Sequence, residues 1–225
     1  MHIMKRENYS KVFIILCSLN ITCLLISNII TIKTINIFGL IFTAADMLFP
    51  ITYILNDVFT EVYGFEKAKF VIWISFFCNL IMVVAFRVTI VLPIDSTFEM
   101  QVALENILGN TPRILIASFV SFLVGNFANS IILSKMKVKT KGKYLALRTI
   151  TSTLVGEGLD TVLFVPIVFI GVLNLKSIFF LILNTYILKV SLEVILTPIT
   201  YKVVEIIKSK ENVDTFDNEV QYKVL

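Results

Sequence analysis

The chain has 225 residues, of which 57% are hydrophobic and 16% are charged, and its mean hydropathy is +0.88. A soluble domain of this size is about half apolar and carries about 25% charged residues, so the composition argues against a soluble core and indicates an integral membrane protein. The net charge of +4 does not indicate nucleic-acid binding, because no aromatic residues are interleaved with the basic ones as base stacking requires.

The three cysteines, Cys17, Cys23 and Cys78, all fall inside apolar segments, and the single histidine, His2, is terminal. No CxxC pair is present, so the sequence predicts neither a disulfide framework nor a zinc site. No cofactor is predicted. The first apolar run is too long for a cleavable signal peptide and no small-residue cleavage site follows it.

Six apolar segments are each close to the length of about 20 residues that a helix needs to cross a bilayer. We therefore predict an all-α polytopic membrane protein with six transmembrane helices over residues 1–207, followed by a polar, flexible cytoplasmic tail over residues 208–225. The six segments run roughly over Lys11–Thr31, Ile37–Phe59, Phe70–Leu92, Ile114–Leu133, Ile150–Leu173 and Ser177–Val204.

Basic residues concentrate at the N-terminus, in the second and fourth loops and in the tail, all on one side of a six-span arrangement. The positive-inside rule then predicts that both termini lie in the cytoplasm. The lysine run over 135–143 also fits a nucleic-acid or lipid patch, but a topological anchor is the favoured interpretation. The third loop contains VALENIL at helical spacing, which predicts a short interfacial helix that is either a lid or a connector.

Polar residues inside the apolar segments are informative, because a charge at the centre of a membrane helix costs about 2.5–3.5 kcal/mol. In the second segment, Asp46, Pro50, Tyr53, Asp57 and Glu61 are spaced so that they share one helical stripe. Proline removes a backbone hydrogen bond and loosens the helix. A polar stripe with a helix break is typical of a binding cavity, although Glu61 fits a solvated surface acid equally well.

The fourth segment carries Ser118, Phe122, Gly125, Asn126 and Asn129 on one face. An asparagine side chain both donates and accepts hydrogen bonds, which suits a flat heterocyclic ligand. Small and polar residues also hold membrane helices together, so helix packing remains an alternative for this face.

The fifth segment contains Glu157, Asp160 and Phe164 on one broad face, and the sixth contains Lys189 and Glu193. Lys189 can pair with Glu193 along its own helix or with Asp160 across the bundle. Polar faces on five segments are most simply explained by one shared cavity. From the residues alone, its carboxylates can bind adjacent N–H groups, bind a cation or carry a proton.

Several stretches resemble the queuosine precursor transporter family, also called vitamin uptake transporters. They are PITYILNDVFTEVYGFEKAK (Pro50–Lys69), PRILIASFVSFLVGNFANSIILSKMK (Pro112–Lys137) and RTITSTLVGEGLDTVLFVPIVF (Arg148–Phe169), with SN at Ser27–Asn28 and YILKVSLEVILTPI at Tyr186–Ile199. The resemblance extends over nearly the whole chain. Some members of the wider family have Gly-Asn where this chain has Gly-Glu at 156–157.

The resemblance implies a six-span inner-membrane protein that imports deazaguanines for queuosine modification of tRNA. Its substrates would be 7-cyano-7-deazaguanine, 7-aminomethyl-7-deazaguanine and, in some members, queuine or queuosine. The family is distantly similar to the substrate-binding subunits of energy-coupling-factor importers. An enzyme is not predicted, because the segments contain no histidine or nucleophile elbow and the chain has no Walker motif.

We predict that Glu157 or Asp160 accepts the two adjacent donors of the guanine-like edge, with Asn126 and Asn129 opposite. Lys189 would neutralise or orient one of the acids. Aromatic side chains would stack on the ring. The full predicted substrate-binding set is Ser27, Asn28, Tyr53, Asp57, Phe122, Asn126, Asn129, Glu157, Asp160, Phe164 and Lys189.

A binding subunit of an ATP-driven vitamin importer is the alternative function. That function needs a docking surface for a partner, commonly small residues on the first segment, whereas here this segment is rich in isoleucine and leucine. The predicted partners are a small-molecule substrate and the lipid bilayer, without nucleic acid, and a homo-oligomer is left open.

Overall fold

The described part of the protein is a bundle of helices with a small β-hairpin. Its structure, a computed structural model, describes residues 9–37, 40–109 and 112–224. An antiparallel hairpin of β1 (Thr34–Ile37) and β2 (Leu40–Thr43) and a 3₁₀ turn (Ala44–Met47) connect the first two helices. The helices are α1 (Lys11–Ile30), α2 (Phe49–Tyr63), α3 (Phe65–Val91), α4 (Gln101–Leu108), α5 (Pro112–Lys139), α6 (Leu145–Phe169) and α7 (Leu175–Glu211).

Within the described residues, five helices are long and apolar enough to cross a membrane: α1, α3, α5, α6 and α7. Their outward faces carry large exposed apolar side chains, among them Ile15, Ile81, Val91 and Ile195. Extended exposed apolar surface is unusual for a protein in water and is what lipid contact requires. The prediction of an all-α polytopic membrane protein is thus confirmed, and the expected short helix in the third loop is present as α4.

The second predicted span is built differently from the continuous helix expected over residues 37–59. Here α2 has only 15 residues and is about 22 Å long. Pro50 stands in its first turn, where a missing N–H costs nothing, and the β-branched residues before it favour strands. The side chain of Asp46, which the stripe included, lies outside the described residues.

The short helix α2 lies inside the bundle, in contact with α1, α3, α5 and α7. Three of its apolar side chains, Val58, Phe59 and Val62, are at most 1% exposed. A helix that is buried on most of its sides can present different residues to several neighbours at once. The functional groups of α2 are therefore enclosed by the other helices.

Four parts of the chain lie at one end of the bundle: the start of α1, the α2–α3 turn, the α5–α6 turn and the end of α7. Phe13 packs edge-on against Phe59 and Tyr63, with ring centroids 5.6 and 5.0 Å away. Lys67 lies 5.6 Å from the ring of Phe13. We call this the lysine-rich end, because Lys67, the run over 135–143 and Lys208 lie there.

Helices α5 and α6 cross closely at two glycines. A Cβ atom on Gly125 would lie 2.9 Å from the Cβ of Asp160, and one on Gly156 would lie 2.8 Å from the Cβ of Asn129. Small residues at such crossings allow two membrane helices to approach. The contact sets Asn129 beside Gly156 and Asp160 beside Gly125, about one helical turn apart along the crossing.

The C-terminal tail packs against the helices, which differs from the flexible segment expected from its polar composition. The predicted boundary after residue 207 falls within α7, which continues to Glu211. Beyond it, the Phe65 backbone N–H donates to Asp217 over 2.9 Å, and Trp73 Nε1 donates to the carbonyl of Val224 over 2.9 Å. Polar tail residues thus have specific partners on α3, which composition does not reveal.

Candidate substrate cavity

A cavity of about 600 Å³ lies between the helices and receives residues from α1, α2, α3, α5, α6 and α7. Its volume is within the range of about 300–1,000 Å³ that is typical of small-molecule sites. Its lining combines leucine, valine, isoleucine and phenylalanine side chains with a larger number of polar residues. The amide and charged residues that line it are Asn20, Asn28, Asn56, Asn79, Asn126, Asn129, Glu157, Asp160 and Lys189.

The charged part of the cavity is a lysine held between two acids. Glu157 and Asp160 are three residues apart on α6 and so lie on one face. Lys189 of α7 donates to Asp160 Oδ2 over 2.5 Å and lies 2.8 Å from Glu157 Oε2. Of the two pairings that the sequence left open for Lys189, the structure has the one across the bundle. Two carboxylates against one ammonium leave this group acidic in formal charge.

The amide part of the cavity lies on α5 and α2. Asn126 accepts a hydrogen bond from Asn56 Nδ2 over 2.6 Å and donates to the carbonyl of Phe122 over 2.8 Å. Asn129 Nδ2 donates to Asp57 Oδ1 over 3.4 Å. Among the described residues no donor reaches the buried Asn129 Oδ1, so the hydrogen-bonding capacity of this oxygen is unused in this conformation.

More asparagines line the α1–α3 side of the cavity. Asn28 Nδ2 donates to Asn79 Oδ1 over 2.9 Å, and Asn20 Nδ2 lies 3.4 Å from Ser75 Oγ. Asn20, Asn56 and Asn79 line the cavity but were not in the predicted set. All three are amides within predicted apolar segments, and this signal could have found them, although Asn56 is one residue off the polar stripe of its helix.

The structure places nine of the eleven predicted residues along the cavity. They are Asn28, Tyr53, Phe122, Asn126, Asn129, Glu157, Asp160, Phe164 and Lys189. Ser27 and Asp57 are buried outside its lining, with Asp57 directly behind Asn129. That any of these residues binds substrate remains a prediction.

Glu61 is not the solvated surface acid that one interpretation of the sequence allowed. Its side chain is fully buried at the lysine-rich end, where it is paired with Arg148, Lys137 and Lys208. Lys137 also donates to the carbonyls of Glu61 and Thr215. This lysine is therefore part of a buried ion network, and the interpretation of the 135–143 run as a topological anchor stays a prediction.

These observations define a class: a polytopic membrane protein whose helices enclose a polar cavity of the size of a small metabolite, as in a membrane transporter. Residues 43–203 match the family described as "Putative vitamin uptake transporter", and the chain belongs to that family. The predicted family is confirmed.

A curated relative from Bacillus subtilis (strain 168), named "Probable queuosine precursor transporter", is 25% identical over 186 residues. The match covers 82% of this chain and 81% of the relative. No solved structure matches the chain, so the expected similarity to the substrate-binding subunits of energy-coupling-factor importers remains a prediction.

Proposed function

We propose that the protein imports deazaguanine precursors of queuosine across the cytoplasmic membrane, and that the cavity binds the base. Membership of the vitamin uptake transporter family and the name of the Bacillus subtilis relative support the substrate class. The proposal depends on one observation. The Glu157–Lys189–Asp160 group lines the same cavity as Asn129, whose amide oxygen receives no hydrogen bond from the described residues.

The chemistry of a deazaguanine matches this juxtaposition. Its pyrimidine edge presents two adjacent N–H donors, which a carboxylate accepts in parallel. Glu157 or Asp160 can accept them once Lys189 turns to the other acid, and the Lys189 ammonium can then donate to the ring carbonyl. The unsatisfied Oδ1 of Asn129 would accept the pyrrole N–H of the base once its side chain turns towards the cavity.

Aromatic side chains at the cavity supply surfaces for a flat ring. Tyr53 of α2, Phe122 of α5 and Phe164 of α6 all line it. Ring stacking adds about 0.5–1.5 kcal/mol beyond the burial of apolar area. A planar bicyclic base therefore fits the lining better than a flexible chain of the same volume.

The proposed orientation has both termini in the cytoplasm. The stacked ring pair Tyr9–Phe70 and the hydrogen bond from Thr215 N to Val62 O place both ends of the described chain at the lysine-rich end. The positive-inside rule assigns such an end to the cytoplasm. Two single-cysteine variants, Lys139→Cys and Glu99→Cys, test this orientation with a membrane-impermeant maleimide in intact cells. Only Glu99→Cys should react.

Uptake by cells unable to make the precursor tests the function. With this gene, cells should accumulate radiolabelled 7-cyano-7-deazaguanine and regain modified tRNA, whereas Glu157→Gln and Asp160→Asn should lower uptake at least tenfold. Loss of a hydrogen bond to a charged group costs about 1.5–3 kcal/mol, which corresponds to about tenfold or more. Glu99→Gln, in an exposed loop, is the control and should transport normally at equal membrane levels.

Competition by unlabelled bases tests whether the cavity recognises the guanine-like edge. Excess unlabelled guanine-edge analogues should inhibit uptake, whereas adenine should not, because its edge lacks the two adjacent donors. Unimpaired uptake by both acid variants, or equal inhibition by adenine, would contradict the assigned roles of Glu157 and Asp160.

A further inference from the structure

Two carboxyl groups meet in the centre of the bundle, outside the cavity lining. Asp57 of α2 and Glu193 of α7 are only 2% and 1% exposed, and their side chains lie within hydrogen-bonding reach of one another. Neither carboxyl group lines the cavity proposed to bind the base. Burial of two acids side by side in a membrane protein requires a reason.

No cation in the described part of the chain neutralises this pair. Lys189 is engaged by Glu157 and Asp160, and the basic residues of the lysine-rich end surround Glu61. Asp57 Oδ1 accepts from Asn129, but among the described residues no donor reaches Asp57 Oδ2 or Glu193 Oε1. Two ionised carboxylates so close together in a buried site repel strongly, and such pairs share a proton instead.

The pair also connects two functional regions of the molecule. Glu61 lies one turn beyond Asp57 on α2 and interacts with it electrostatically, and Glu157 of α6 interacts in the same way with Glu193. Asn129 faces Asp57 from α5, and Lys189 is one turn before Glu193 on α7. Ionisable side chains therefore run from the cavity through the pair to the buried network of the lysine-rich end.

We propose that Asp57 and Glu193 share one transported proton, which makes import by this protein proton-coupled. The proton enters from the cavity by way of Glu157 and is held between the two carboxyl oxygens that no donor reaches. Towards the lysine-rich end, Glu61 with its three cationic partners and the packed tail close the path in this conformation. The inference rests on the proposed function, since a coupled proton needs a transported solute.

A proton fits the pair better than a metal ion does. Asn129 directs an N–H group at Asp57, which a cation would repel, and hard cations take six or more oxygen ligands. Within the described residues no group of three or more histidine, cysteine, aspartate or glutamate side chains is placed to hold a metal ion. Sodium coupling is accordingly an outcome that would overturn the proposal.

Transport by the purified full-length protein in proteoliposomes tests the inference. Radiolabelled 7-cyano-7-deazaguanine is offered with the lumen one pH unit more alkaline than the outside, and without a gradient. For one proton per substrate, such a gradient can drive about tenfold accumulation. The wild-type protein should accumulate substrate only with the gradient, a protonophore should abolish accumulation, and replacement of sodium by choline should change nothing.

Conservative variants of the pair separate coupling from translocation. Glu193→Gln should still equilibrate substrate but lose the response to the gradient, whereas Glu205→Gln, on an exposed part of α7, should behave like the wild type. The infrared C=O stretch of a protonated carboxyl group, present at neutral pH in the wild type, should be lost when Asp57→Asn and Glu193→Gln are combined. This band reports the shared proton even where a variant transports poorly.

The outcomes distinguish the two proposals. Uptake that ignores the pH gradient, or that follows a sodium gradient, would overturn the coupling and leave the proposed function standing. An absent carboxyl band in the wild type would overturn the shared proton. Absence of uptake under every condition, by protein that is folded and correctly inserted, would overturn the proposed function and the coupling with it.

Discussion

Arg148, near the start of α6, donates two hydrogen bonds to the carboxylate of Glu61, near the end of α2, and neither side chain is more than 1% exposed. The bond from Nη2 to Oε1 is 3.1 Å long. The two residues are 87 positions apart. A planar guanidinium matches a carboxylate in this two-pronged way. The contact therefore ties together two helix ends that the chain itself does not connect.

Removal of this arginine should destabilise the protein strongly. Removal of one partner from a buried ion pair lowers the free energy of unfolding by about 3–5 kcal/mol. For Arg148→Gln we expect the lower value, because Lys137 and Lys208 remain near Glu61. Arg148→Lys should be intermediate, since lysine cannot make two parallel hydrogen bonds. Thermal unfolding in detergent measures the effect against Lys139→Gln, an exposed lysine. Equal stability of Arg148→Gln and the control would contradict a contribution of Arg148 to the stability of the protein.

The glycine crossing of α5 and α6 predicts opposite results for two neighbouring glycines. In Gly156→Ala the new methyl group would lie 2.8 Å from the Cβ of Asn129 and 2.9 Å from the carbonyl oxygen of Gly125, so the helices must separate. Overpacking of this kind costs about 1–3 kcal/mol and should reduce uptake because it displaces Asn129. In Gly158→Ala the methyl group meets only the ring of Tyr186 at 3.4 Å.

Uptake rate and unfolding temperature, each measured for both alanine variants, check this prediction. Gly158→Ala should be close to the wild type in both. If the two variants were equally impaired, loss of helix flexibility rather than the α5–α6 contact would explain the result.

Local periodicity was sufficient to predict much of the cavity. Residues three or four apart on one helix share a face, which is why Asn126 and Asn129, and likewise Glu157 and Asp160, line the same cavity. The predicted stripe of α2 was only partly informative: Tyr53 reaches the cavity, whereas Asp57 is buried behind Asn129. The cause is that α2 is enclosed on several sides, so a single helical face does not define its environment.

Contacts between distant segments could not be predicted in this way. The pairing of Glu61 with Arg148, the burial of Lys137 and the docking of the tail all depend on which helix ends meet, and no spacing within one segment encodes that. The second span is a case of competing local preferences. Pro50 begins α2 and the β-branched residues before it form the hairpin, although their hydropathy alone suits a membrane helix.

The docked tail should be released when its buried aspartate is removed. Asp217 is 8% exposed and accepts hydrogen bonds from the Phe65 backbone N–H and from Ser134 Oγ. Asp217→Ala leaves the backbone donor without its partner, which costs about 1–3 kcal/mol. The sole tryptophan, Trp73, donates to the tail at Val224, so its fluorescence reports docking directly.

Two reference proteins calibrate the fluorescence signal. Deletion of residues 213–225 gives the emission of a released tail, and Glu219→Ala, at an exposed position of the tail, should keep the wild-type emission. Asp217→Ala should approach the deletion. If it kept the wild-type emission and the same resistance to protease, Asp217 would not be needed to hold the tail.

Tail docking should also depend on pH through Asp214, which contacts Lys137 and lies 2.9 Å from Lys208 Nζ. Partial burial raises the pKa of Asp214, but hydrogen bonds and attraction from the two lysines outweigh it and hold the pKa below its ordinary value of 3.8. A depressed folded-state pKa stabilises the docked state above the ordinary value, and this stabilisation is lost as the pH falls through the depressed pKa. Asp214→Asn should therefore weaken docking at neutral pH, read from Trp73 emission under denaturant, whereas the difference from the wild type should vanish in acid. A difference that persisted in acid, or that was absent at neutral pH, would show that the charge of Asp214 does not hold the tail.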